Sequence, residues 1–189
     1  MTFPLITHHP APMKLVILDR DGVINYDSPS YIKSPEDWKP IPGSLEAIAL
    51  LTQAGYQVAV ATNQAGVGRG LFEMATLNAI HDKMHRAVGQ AGGRIDAVFY
   101  CPHAEEANCG CRKPKPGLFE EIGQRYSVSL KDVPSIGDAL RDLQAAAAVG
   151  AQPILVLTGK GRQTRRAAGL PPGTRIHTDL AEAVKSYLK

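Results

Sequence analysis

The stretch Leu15-Val16-Ile17-Leu18-Asp19-Arg20-Asp21-Gly22 decides how the rest of the chain is read. A short apolar run that ends in two carboxylates and a glycine predicts a buried strand delivering acidic side chains to one end of a sheet. In open α/β sheets ligands bind at the carboxyl ends of the strands, which places Asp19 and Asp21 in a candidate crevice. Alone, the same residues also fit a surface turn, since Asp and Gly favour turns. The remaining chain has to separate the two readings.

Outward from this stretch, residues 23–42 contain Tyr31, Trp38 and several prolines with no sustained period, and read as a flap over the strand end. Residues 44–54 carry apolar positions at helical spacing, with Gly55 as the stop. Residues 57–61 are apolar almost throughout, as in a strand buried on both faces, and lead into Thr62, Asn63 and Gln64. Gly66, Gly68 and Gly70 open a loop, and Leu77, Ile80, Met84 and Val88 mark one face of a long helix. Strands follow at 96–100, 133–136 and 153–157, with a weak one at 175–177. Helices are expected at 117–126, 140–149, 161–168 and 180–188. This alternation implies a doubly wound parallel sheet with helices on both faces.

The length of 189 residues suits one domain, expected over residues 14–189 after a flexible leader over 1–13. Hydrophobic residues at 44% and charged residues at 21% match a folded globular chain. A net charge of +3 carries no argument for nucleic acid. No apolar run approaches the roughly 18 to 20 residues of a bilayer span, and no signal peptide is visible, so the expected location is the cytoplasm.

Three local patterns are set aside. The glycines at 66, 68 and 70 lack the G-x-G-x-x-G form of a dinucleotide loop. His81 and His85 stand four apart, but Asp82 replaces the glutamate a zinc-protease helix needs, so both are read as a solvated helix face. Lys160, Arg162, Arg165 and Arg166 contain no interleaved aromatics and read as another solvated face.

Four strand ends then converge: Asp19 with Asp21, Thr62 with Asn63, Cys101, and Asp138. This inventory suits phosphoryl transfer. Asp19 is the candidate nucleophile, and Asp21 the candidate acid and then base. Carboxylates beside a phosphate need a cation between them, so Asp19, Asp21 and Asp138 are the candidate magnesium ligands. Thr62 can donate its hydroxyl to the phosphoryl group, Lys113 supplies positive charge, and Arg112 is free for a bidentate contact elsewhere on the substrate. All three cysteines fall in one loop, where Cys101, His103, Cys109 and Cys111 make up the first shell of a closed structural zinc site. Free cysteines of a reduced protein are the alternative. Zinc would pin the loop and hold Arg112 and Lys113 in place.

Asp19-Arg20-Asp21-Gly22, Thr62, Lys113 and Gly137-Asp138 resemble, in order, the four motifs of the haloacid dehalogenase (HAD) superfamily of phosphohydrolases. The stretches 19–25, 62–70 and 111–117, with the cysteine loop, are similar to its heptose-bisphosphate phosphatase branch. That resemblance implies a HAD-like Rossmannoid fold without a separate cap domain, and a monomeric enzyme with magnesium and a structural zinc. It further implies removal of the 7-phosphate of a heptose 1,7-bisphosphate in lipopolysaccharide heptose synthesis. Substrate choice would fall to Asn25, Asp27, Ser28 and Tyr31 of the flap, to Asn63, Gln64 and Arg69, and to Arg112. The chain departs from the pattern at Ala139, where a lysine is common, and at Ala65, where a serine is common. The second acid of the fourth motif, Asp142, is present as a partner for the metal site or for Lys113. Histidinol-phosphate phosphatases share the motifs and the cysteine loop and are the nearest alternative. A zinc-stabilised binding module with a vestigial site is the non-catalytic one.

Overall fold

The computed structural model describes residues 13–188, so the expected leader, Met13 apart, lies outside the described residues. Six strands form one parallel sheet in the order β3-β2-β1-β4-β5-β6, with β1 Lys14–Leu18, β2 Tyr56–Asn63, β3 Ala97–Cys101, β4 Pro134–Gly137, β5 Gln152–Val156 and β6 Arg175–His177. The order reverses at β1, which pairs with β2 on one side and β4 on the other. A crevice at the carboxyl ends of β1 and β4 follows from that reversal.

β1 shows why the opening stretch reads as apolar throughout. Val16 and Leu18 face one core layer and Leu15 and Ile17 the other. Alternate side chains of a strand point to opposite faces, so a strand covered on both sides needs apolar residues at every position. The first layer is closed by α1 (Ser44–Gln53), α3 (Met74–Gln90) and α7 (Leu180–Tyr187). The second is closed by α4 (Gly117–Tyr126) and α5 (Leu140–Ala148). A short α6 (Gly161–Arg166) follows β5, and a four-residue α2 (Ala65–Gly68) follows β2.

Two expectations are corrected here. The glycine stretch opens with a helical turn, α2, in which Gly66 and Gly68 leave no room for side chains: a Cβ on Gly66 would enter the Phe72 ring, and one on Gly68 would lie 2.7 Å from the Pro102 carbonyl oxygen. His81 is buried rather than solvated, although His85 is exposed. It stands one turn beyond Leu77 at the edge of the apolar stripe of α3 and turns inward, against Arg20 and the Tyr100 ring.

The flap between β1 and α1 is anchored in the first core layer, with Val23, Ile24, Ile32 and Trp38 buried there. Among the described residues there is no separate cap domain, and no helix is long and apolar enough to cross a membrane.

Candidate active site

Asp19 follows directly on β1, Thr62 and Asn63 end β2, and Asp138 follows β4. Three buried carboxylates, Asp19, Asp138 and Asp142, place oxygen atoms within 4.8 Å of one another. Gly22, with φ at 83°, makes this approach possible, since a Cβ there would collide with the Asp138 carboxylate.

Lys113 neutralises part of the charge. Its ammonium meets Asp142 Oδ1 at 2.7 Å and Asp19 Oδ1 at 3.0 Å, and donates to the Ala61 carbonyl oxygen at 2.7 Å. The fourth-motif acid Asp142 thus partners Lys113, and its other oxygen accepts the Ala139 N–H. The remainder is left on Asp19 and Asp138. Burial and the neighbouring Asp142 carboxylate push Asp19 up to about 6, and burial with Asp142 and Asp19 pushes Asp138 up to about 8. Asp138 Oδ2 accepts the Lys160 N–H, while buried Oδ1 has no partner among the described residues. An orphaned carboxylate oxygen beside a second carboxylate is the donor chemistry a hard divalent cation requires, so Asp19 and Asp138 fit magnesium.

Asp21 takes a different place from the one expected. Its carboxylate stands apart from the acidic cluster and accepts from Arg20 Nε at 3.1 Å and Nη2 at 3.1 Å, Asn25 Nδ2 at 2.8 Å and Gln64 Nε2 at 2.9 Å. With both oxygens occupied, its side chain is a poor metal ligand, and the expectation for that role is corrected. Burial alone would raise its pKa, but Arg20 and these donors outweigh it and hold the carboxyl below its usual range.

Two residues expected to touch substrate brace the machinery, Asn63 while also lining the crevice and Asn25 from beneath it. Asn63 accepts the Lys113 N–H at 3.1 Å and donates to the Lys113 carbonyl oxygen at 3.0 Å, fixing that backbone. Asn25 is fully buried and holds Asp21. Gln64 braces too, tying Asp21 to Thr62 Oγ1 at 2.9 Å, yet it also faces the cavity. Accepting there leaves the Thr62 proton free to donate. Asp27, Ser28, Tyr31, Asn63, Arg69 and Arg112 line one crevice of about 270 Å³ with Asp19 and Asp21. Lys160 and Arg141 line it too, and sequence reasoning gave neither a role there: Lys160 reaches Asp27 at 2.9 Å across the mouth. The carboxylates of Asp19 and Asp27 were visible in the sequence, but the side from which cations reach them was not.

Beside the crevice, Cys101, His103, Cys109 and Cys111 gather their ligand atoms within 4.8 Å. Sulfurs 3.2 to 3.5 Å apart are too distant for disulfides. They approach the S···S edge of about 3.8 Å of a tetrahedron with Zn–S near 2.3 Å. The His103 Nδ1 distances of 3.4 and 3.6 Å to Cys111 and Cys101 fit the same tetrahedron. The set is compatible with zinc and leaves no ligand position open.

The parallel sheet with an acidic cluster at its switch point defines a HAD-like hydrolase, and a HAD-hydrolase-like family model matches residues 110–183. The chain is 58% identical over 177 residues to the D-glycero-beta-D-manno-heptose-1,7-bisphosphate 7-phosphatase of Bordetella bronchiseptica, covering 94% of this chain and 99% of that one. It is 52% identical over 176 residues to the enzyme of the same name from Pseudomonas putida, covering 93% and 100%. The crystal structure of the B. bronchiseptica D,D-heptose 1,7-bisphosphate phosphatase, complexed with magnesium and phosphate, superimposes with a TM-score of 0.92 over 93% of this chain and 98% of that one, at 58% identity. The chain belongs to the D-glycero-D-manno-heptose-1,7-bisphosphate 7-phosphatase family.

Proposed function

We propose that this chain hydrolyses D-glycero-β-D-manno-heptose 1,7-bisphosphate at its 7-phosphate, with magnesium, in lipopolysaccharide heptose synthesis. The observation that carries the reading is the Asp19 carboxylate at the mouth of β1, held by Lys113 beside the orphaned Asp138 oxygen, in a chain 58% identical to a phosphatase of that name. In the first half-reaction an Asp19 oxygen attacks phosphorus and the ester P–O bond breaks, leaving an aspartyl phosphate. Asp21 gives the departing alkoxide a proton; the approaching phosphate dianion raises its otherwise low pKa so that it can hold one. In the second half-reaction Asp21, ionised again, takes a proton from the water that attacks phosphorus and frees Asp19. Thr62 donates to the phosphoryl oxygens. Magnesium held by Asp19 and Asp138 supplies charge neutralisation between carboxylates and phosphate. The reading takes the enzyme to be a monomer working in the cytoplasm.

Phosphate release from heptose 1,7-bisphosphate, the heptose 1-phosphate and histidinol phosphate, with magnesium present, tests the assignment. The bisphosphate is expected to be preferred, and Asp19→Asn is expected to lose about a thousandfold or more of kcat. A preference for histidinol phosphate overturns the substrate. Equal inactivity of both proteins toward every ester overturns the enzyme and favours the binding module.

A further inference from the structure

Lys113 is the cation that the sequence aims at the phosphate, and its ammonium group is already engaged by two carboxylates. An ammonium carries three N–H donors. One goes to the Ala61 carbonyl oxygen, and the charge is paired with Asp19 and Asp142. Ala139, directly after Asp138, contributes no charge. A transferring phosphoryl group still needs positive charge and hydrogen-bond donors on its non-bridging oxygens.

Arg141 stands two residues on, in the first turn of α5, and its partly buried side chain lines the same crevice as Asp19 and Asp21. Its Nε is buried and has no hydrogen-bond partner among the described residues. Asp142, Asp19, Asp138 and Asp27 surround it with negative charge, yet it closes an ion pair with none of them. The other cations of the crevice are differently placed. Lys160 is paired with Asp27, Arg69 with Glu106, and Arg112 reaches the His103 carbonyl oxygen. A guanidinium cannot lose its proton, and its planar fork matches two phosphate oxygens at once.

We propose that Arg141 donates to the non-bridging oxygens of the phosphoryl group that Asp19 receives. The reaction rests on the phosphatase reading above, but the test does not, because inorganic phosphate is the probe.

Calorimetric titration of inorganic phosphate into magnesium-loaded protein compares wild type with Arg141→Ala and Arg141→Lys. Arg141→Ala is expected to weaken phosphate binding about 10- to 100-fold. Arg141→Lys, which keeps the charge and loses the fork, is expected to lose about 3- to 10-fold. Magnesium affinity without phosphate, measured in parallel, should stay level or tighten, since removing a cation favours another beside the acids. Unchanged phosphate affinity in Arg141→Ala overturns the proposal. So does a phosphate loss matched by an equal loss of magnesium affinity, which would place Arg141 behind the acidic cluster. A raised KM for the bisphosphate with unchanged phosphate affinity would assign it to the second phosphate, and overturns it as well. If Arg141→Ala does not fold, Arg141→Lys decides, and unchanged affinity there overturns the proposal.

Discussion

Arg20, between the two acids of the opening stretch, is completely buried, and its charge is balanced on one side only, by Asp21 at 3.0 Å. On the other side Nη1 lies 3.2 Å from His81 Nε2. Arginine has only donors, so Nε2 accepts, and His81 is the neutral tautomer with its proton on Nδ1. Burial first, then Arg20 and His85, lower the His81 pKa to about 3, with Asp21 opposing weakly. A histidine whose folded pKa is depressed takes up its proton more readily unfolded. The stability it contributes is complete above pH 6.5 and is lost as pH falls from 6.5 toward 3. Between pH 6.5 and 4.5 this amounts to about 2 to 3 kcal/mol. Urea unfolding at those two pH values should show that loss in wild type and a much smaller one in His81→Gln, which keeps an acceptor for Arg20 but does not titrate. Equal slopes in both proteins would mean that His81 is already free to protonate in the fold.

At the scale of elements, the cysteine loop is held by neighbours as well as by its own ligands. α2 presses Gly68 against it, where the Gly68 N–H donates to the Pro102 carbonyl oxygen at 2.8 Å. α4 begins at Gly117, whose absent Cβ would fall 2.9 Å from Cys111 Cα. Lys115 caps the tip through Asn108 at 2.6 Å. Arg112 and Lys113 leave the loop immediately after its last sulfur, and Asn63 of β2 catches the Lys113 backbone on both sides. A metal at the four ligands therefore fixes the ammonium that holds Asp19. Metal analysis should find about one zinc per chain. Cys109→Ser should lose that zinc, unfold at lower temperature, become cleavable by protease within residues 101–111, and lose about tenfold or more of kcat. Zinc-free wild type that folds and turns over normally would refute the link. Gly68→Ala should destabilise by about 1 to 3 kcal/mol through overpacking, with zinc content unchanged. The sequence displayed these glycines but not their use. A glycine required by a neighbour remote in the chain looks the same as one required by a turn.

For the molecule as a whole, the alternation of apolar strands and helices was legible because each strand is covered on both faces, and the acids at strand ends were legible because the sheet is parallel. Which amide grips which acid was not. Asn25 and Asn63 stand where ligand-binding residues stand, and only the folded geometry turns them toward Asp21 and Lys113. Arg141 and His81 were illegible for the same reason, since their roles depend on approaches between distant segments. The fold converges three carboxylates on two nearby cationic side chains, Lys113 and Arg141, and that concentration has a stability consequence. Asp138 is held near pKa 8 by burial and by Asp142 and Asp19. An acid with a raised folded pKa penalises the fold increasingly as pH rises from its unfolded value near 3.8 toward 8, because only the unfolded chain ionises freely. Metal-free Asp138→Asn removes that penalty and keeps an oxygen for the Lys160 N–H. At pH 7.5 it should be more stable than metal-free wild type by about 1 to 3 kcal/mol, or roughly 2 to 10 °C in Tm, with the difference vanishing below pH 4. Magnesium at a hundred times its Kd should raise wild type by about 2.7 kcal/mol and leave Asp138→Asn nearly unmoved. Thermal melts of both proteins, with and without magnesium and across pH, read both effects. A variant less stable than metal-free wild type at pH 7.5 would show that Asp138 supports the fold rather than straining it.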